Sequence, residues 1–258
     1  EIAAQQPSEE GAVDLATPVD AGEVQAISET LSEFSTREQA IASEARVIID
    51  TPALTGSINL VGARLDDLSL KNYRETVDPD SPIISLLSPS SGPKGYYVEQ
   101  GWVAPGGAGG VPDAKSLWEV KGNSTLTPAT PVVLTYDNGA GLLFTREFAV
   151  DENYLFTVTQ SVENNSGGDV ALFPYSRIAR YGVPKVSGFF ILHEGGIGVL
   201  GDANLVEKKY GDMEKDRQFD VEATGGWLGF VDKYWAAAIM PEPDAEINAR
   251  FSWNKPDQ

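Results

Sequence analysis

The sequence predicts an all-β fold, two large antiparallel sheets packed face to face, behind an acidic N-terminal segment that carries one short helix. From Arg46 onward the chain breaks into short runs of alternating apolar and polar residues separated by turn residues, the period of half-buried strands. About fifteen to seventeen such runs lie between Val47 and Trp253, with no convincing helix of ~10 residues among them. That number suits two packed sheets better than one immunoglobulin unit. No repeat of roughly 20 to 50 residues points to a propeller or solenoid.

Residues 1–45 hold ten acidic side chains against Arg37 alone, so −9 of the net −19 sits there. The first twenty residues, rich in Ala, Gln, Pro and Glu, offer too little apolar surface to offset ordering entropy and read as a flexible tether. Val24, Ile27, Leu31, Phe34, Ile41 and Ala45 recur at helical spacing, and Thr36 with Gln39 fits a capping box opening a short helix to about Glu44. Residues 46–258 read as the β domain and carry the remaining −10.

Within that domain Leu142, Phe144, Phe148 and Val150 share one parity. So do Tyr154, Phe156, Val158 and Val162 one strand later, and Ile247, Ala249, Phe251 and Trp253 near the end. Asp137-Asn138-Gly139 lies between two strands, where Asn-Gly accepts the positive φ of a tight hairpin turn. Asn164 to Gly168 marks the next reversal. Gly195-Gly196-Ile197-Gly198 lacks the spacing and the following helix of a phosphate loop and reads as a hairpin turn. Asp212, Glu214 and Asp216, interleaved with Lys215 and Arg217, read as a solvated turn.

Composition excludes much chemistry. A polyanion of this size repels phosphate backbones and anionic headgroups, which argues against nucleic-acid binding or membrane-surface binding by the chain itself. Without cysteine there is neither a disulfide scaffold nor a cysteine metal site, and any histidine mechanism must run through His193 alone. His193, at a strand end, reads as a hydrogen-bonded structural residue. Asp66 and Asp67, adjacent on a strand, point to opposite faces and cannot share a site without a bulge. No metal site or cofactor is implied. The longest apolar runs, Phe189–Leu192 and Trp235–Met240, fall far short of a membrane span. Aromatic residues at strand ends, Trp102, Trp118, Trp227 and Trp235 among them, are candidates to line a cleft for a sugar or an extended peptide.

Several segments resemble a known family. They are Phe189-Phe190-Ile191-Leu192-His193, Leu205 to Tyr210, Phe219-Asp220 and, most specifically, Gly225-Gly226-Trp227-Leu228-Gly229-Phe230 running on through Tyr234-Trp235-Ala236 to Pro241. Gly62 to Leu68, Leu86 to Pro89 and Thr145-Arg146-Glu147-Phe148 add support. Over about residues 46–253 the chain resembles the large periplasmic domain of the bacterial YidC membrane protein insertases. The resemblance implies a β-supersandwich like that of galactose mutarotases, at the periplasmic face of the inner membrane, in a protein that assists insertion and folding of membrane proteins. It implies no enzymatic activity, since mutarotase-type catalysis needs more acid–base groups than one histidine supplies. It also implies contacts with SecDF and the Sec translocon, and with nascent membrane proteins. The segment that contacts SecDF in the family corresponds to about Arg177–Phe219, and within it Phe189, Phe190, Leu192, Lys208, Lys209 and Tyr210 are the partner-facing candidates.

Overall fold

β9 (Leu142–Val150) and β10 (Phe156–Asn164) show the alternation in its plainest form. Leu142, Phe144, Phe148 and Val150 are buried, and the residues between them are more exposed. The two strands pair antiparallel over nine residues without a register shift. Phe156, Val158 and Val162 on the second strand pack against the same core. In the computed structural model, residues 33–105, 110–184, 193–201 and 205–254 are described. The tether, the predicted apolar positions Val24 to Leu31, and Phe189, Phe190 and Leu192 lie outside them.

Seventeen strands and two short helices form among the described residues. β1 (Arg46–Asp50), β2 (Leu54–Asn59), β3 (Arg64–Arg74), β4 (Ile83–Leu87), β5 (Tyr96–Val103), β7 (Thr125–Leu126) and β11 (Phe173–Arg180) build a seven-stranded sheet, antiparallel except where β1 meets β7. β11 is its edge, and Pro174, which has no N–H to donate, suits an edge strand. β6 (Glu119–Lys121), β8 (Val132–Asp137), β9 and β10 form a second sheet. The facing side chains of these two sheets make one cluster that includes Ile49, Leu54, Ile58, Trp102, Leu134, Phe144 and Phe148. Trp102 and Trp118 stack inside it, ring centres 6.4 Å apart.

The remaining strands continue the architecture as two smaller sheets. β12 (Gly195–Leu200), β13 (Leu205–Lys209), β15 (Gly226–Val231) and β16 (Ala236–Ile239) make one, and β14 (Gln218–Thr224) with β17 (Glu246–Ser252) the other. The fold is thus all-β and mostly antiparallel, with four hydrogen-bonded sheets where two large ones were expected. β11 and β16 approach each other without a strand pairing.

Local expectations fared unevenly. α1 (Arg37–Ala42) starts where the capping residues placed it: Thr36 is the N-cap and its hydroxyl accepts from Gln39 N–H. Gln39 does not close the box; its side-chain oxygen accepts from Ser35. The hairpin between β8 and β9 has a four-residue loop instead of a tight two-residue turn. Gly139 takes the positive φ (69°), while Asn138 uses its side-chain oxygen to accept from the N–H groups of Ala140 and Leu142. Gly195 to Gly198 is strand β12, paired on both sides, instead of a turn. Phe251 packs so closely on Gly196 that a Cβ there would collide with its ring. The acidic run Asp212–Asp216 lies in a helix, α2 (Tyr210–Asp216), because Tyr210 and Met213 provide a buried face one turn apart.

The Gly-Gly pair before Trp227 has a backbone cause. Gly226 sits at φ 98°, and a Cβ on it would collide with the Val199 carbonyl oxygen on the neighbouring strand. Gly226→Ala is therefore expected to cost about 2–4 kcal/mol in urea denaturation. Gly168→Ala, where no atom crowds the added methyl, should stay within about 0.5 kcal/mol of the parent. Equal stability of the two variants would contradict this account of the motif.

Candidate functional site

Charged residues inside the β domain are arranged in matched groups. β2 and β3 slip register between Ser57 and Ile58, so Ser57 faces Asp67, Ile58 faces Leu65, and Asp66 is the extra residue of a bulge. The bulge buries both Asp66 and Asp67. Arg46 pairs with Asp66 and also donates to the Ser57 hydroxyl, which in turn donates to Asp67. Arg37 of α1 pairs with Asp67 and donates to the Leu87 carbonyl, clamping the helix to the sheet. Burial raises the Asp66 carboxyl above its ordinary value despite the Arg46 charge.

A second group crosses three adjacent strands. Glu99 on β5 accepts from Arg64 on β3 at 2.7 Å, from Tyr175 on β11 at 2.8 Å, and pairs with Arg177 on β11 at 2.7 Å. Burial alone would raise the Glu99 carboxyl, but Arg64 and Arg177 hold it below its ordinary value. Between the sheets, Arg146 of β9 is 1% exposed. It donates to the Ala63 carbonyl at 3.0 Å, the Gln100 carbonyl at 2.6 Å and the Gln160 side-chain oxygen at 3.1 Å. Its guanidinium carbon lies 4.7 Å from the Trp118 ring centre and 5.7 Å from that of Trp102.

The third group reaches the smaller sheet. Arg180 at the end of β11 grips Asp232 through both carboxylate oxygens, at 2.9 and 2.7 Å, and donates to the Tyr210 hydroxyl at 3.1 Å. Its guanidinium lies 4.6 Å from the Tyr96 ring centre, and burial pushes the Tyr96 hydroxyl up to about 12. Arg180 lines a cleft of about 3820 Å³ that runs along β10, β11, β16 and β17. Six of the eleven large apolar residues exposed on the described surface line it: Tyr73, Tyr154, Leu155, Val183, Tyr234 and Met240. Tyr73 also packs edge-on against Trp235 at 4.9 Å.

The sequence-derived candidates separate on this frame. Trp102 and Trp118 do not line the cleft; they are core, and their stacking with Arg146 explains why. Trp227 is half-buried on β15 away from the cleft, and Trp235 does line it. Tyr210 does not face outward: it is buried, held by Arg180 and stacked on Phe230. Lys208 lies 4.2 Å from the Phe219 ring centre and 3.7 Å from Asp216, whereas Lys209 is exposed on β13. Tyr73, Leu155 and Met240 were missed, since a single apolar residue at a strand end carries no signal of its own. His193 bonds the Gly196 carbonyl through Nε2 at 2.9 Å. Among the described residues no three His, Asp or Glu side chains gather as metal ligands, and no helix is long and apolar enough to cross a membrane.

Comparison with known proteins bears on all of this. The model of the YidC periplasmic domain matches residues 46–256. The chain belongs to the YidC periplasmic-domain family. It is 52% identical over 220 residues to the membrane protein insertase YidC of Nitrobacter hamburgensis, covering 85% of this chain and 36% of that protein. The insertase of Mesorhizobium japonicum is 51% identical over 218 residues, 84% of this chain and 36% of its own length. That of Bradyrhizobium diazoefficiens is 46% identical over 249 residues, 96% of this chain and 39% of its own. The chain thus spans somewhat over a third of each relative. Membership places the domain in the periplasm. Two of the YidC-like segments found in the sequence carry members of these groups: Gly62 to Leu68 holds Arg64, Asp66 and Asp67, and Thr145 to Phe148 holds Arg146.

The Glu99 group sets a pH dependence. A carboxyl held below its unfolded value of about 4.5 adds stability that is present above that pH and is lost as pH falls through the lower folded value. Asp66, shifted upward, works in the opposite sense. Glu99→Gln is expected to cost about 3–5 kcal/mol at pH 7, because it removes the buried carboxylate charge that faces Arg64 and Arg177. The cost should shrink when urea denaturation is repeated well below pH 4.5. A cost independent of pH would contradict the assignment.

Proposed function

We propose that this domain is a non-catalytic accessory module of a membrane protein insertase and chaperone, held at the periplasmic face of the inner membrane and contacting SecDF and Sec-translocon components. The observation that carries the proposal is the family match over residues 46–256, in a chain that spans little more than a third of relatives named membrane protein insertases. The finer architecture we propose is a β-supersandwich of the galactose-mutarotase kind. The shared core of the seven- and four-stranded sheets and the approach of β16 to β11 support it. The non-catalytic reading draws support from His193, the chain's one histidine, whose ring is engaged by the Gly196 carbonyl and lies 3.7 Å from Glu207. The acidic N-terminal segment would act as a solvated spacer, repelled by anionic headgroups.

A second reading rests on the cleft. Its exposed aromatic mouth, with Tyr234 72% accessible, suits an extended peptide, such as a nascent membrane protein segment, or a glycan. The two readings differ in where contact falls. With a photo-crosslinking residue at Lys209 or Tyr234 of a full-length relative in inner membranes, the accessory reading expects SecDF adducts from Lys209. The cleft reading expects substrate adducts from Tyr234. Absence of a SecDF adduct at Lys209, beside a working positive control, counts against the Sec contact proposed on β13.

A further inference from the structure

Three buried polar atoms around Arg146 make no hydrogen bond with another described residue: Arg146 Nε, Trp118 Nε1 and the Gln100 side-chain oxygen. All three residues line one small cavity of about 10 Å³, whose walls also include Glu99, Asp113 and Tyr175. They are close neighbours, since the Arg146 guanidinium lies over the Trp118 ring and donates to the Gln100 carbonyl. Two of the three atoms are donors and one is an acceptor.

We propose that this cavity is a binding site for a single ordered water molecule, which accepts from Arg146 Nε–H and Trp118 Nε1–H and donates to the Gln100 side-chain oxygen. Its size fits, because a water needs roughly 10–15 Å³ of such space and two to four polar partners. The partner set fits as well: a water can take two donors and return a proton to the acceptor. An anion would satisfy the two N–H groups but not the amide oxygen, and it would lie against the carboxylates of Glu99 and Asp113. Solvent can enter past Asp113, which is exposed. The water would link β5, β9 and the residue preceding β6, completing the hydrogen bonds of the Arg146 guanidinium, which joins the two large sheets.

The test uses the full chain labelled with ¹⁵N at its five tryptophans. Trp118→Phe assigns the Trp118 indole signal. In the parent protein this N–H is expected to show a cross-peak at the water frequency with opposite signs in NOE and ROE spectra, the signature of a long-lived bound water as opposed to proton exchange. A missing cross-peak would mean a dry cavity and overturn the proposal. Should Trp118→Phe fail to fold, crystals of the parent grown in bromide decide the question. An oxygen-sized peak within about 3.2 Å of all three atoms, without anomalous signal, supports water. An anomalous bromide peak at the site would show an anion site and overturn the proposal, as would absence of any density.

Discussion

A guanidinium can stay charged inside an apolar core only if its N–H groups meet acceptors, and Arg146 imposes that condition on two sheets at once. It projects from β9 of the four-stranded sheet. Its acceptors are the Ala63 carbonyl in the β2–β3 turn, the Gln100 carbonyl on β5 and the Gln160 side chain on β10. Gly62 and Ala63 take positive φ, 75° and 48°, a conformation unusual for alanine, and this bend brings the Ala63 carbonyl to the guanidinium. Burial lowers the Arg146 pKa to about 10, which still leaves the group charged at neutral pH. The nearby carboxylate, Glu99, is already bound by two other arginines, so the charge is met by carbonyl dipoles and two indole faces. Sheet spacing, turn geometry and the Trp102–Trp118 stack therefore depend on one side chain.

The same logic extends outward. Arg37, Arg46, Arg64, Arg177 and Arg180 each pair with a wholly or largely buried carboxylate, and each pair joins elements distant in sequence. Inside the domain, then, each of these carboxylates meets at least one arginine. The excess of acids lies at the surface, where Glu75, Glu222, Glu242 and Glu246 border the cleft without an ion pair among the described residues. These acids, with the exposed Lys94, keep the border of the apolar mouth solvated while leaving the aromatic residues open to contact.

Much of this was legible in the residues. Alternation in β9, β10 and β17, and the Thr36 cap, follow from period and local hydrogen bonding, which a short window contains. The family likeness was legible too, in segments such as Gly225 to Pro241, and Gly226 there has a backbone conformation that a side chain would strain. What escaped depends on distant partners. Asp66 and Asp67 share a face only because β2 forces a bulge opposite Ser57. Gly195 to Gly198 is a strand because Phe251 from β17 fills the space over Gly196. Trp102 and Trp118 are core because Phe144, Tyr136 and Arg146 from the facing sheet pack on them, whereas Trp235 packs on the exposed Tyr73. The cleft mouth gathers Tyr73 at the end of β3 with Tyr154 and Tyr234 from two separate connections, and no window spans them.

The central claim is that Arg146 couples the two large sheets. Native-state hydrogen exchange on Arg146→Met tests it most directly, since methionine keeps much of the volume and removes every donor. If the account holds, amides of β9 in one sheet and of β3 and β5 in the other lose protection together, by a common free energy of about 3–5 kcal/mol. Loss of protection confined to β9, with β3 and β5 unchanged, would contradict it.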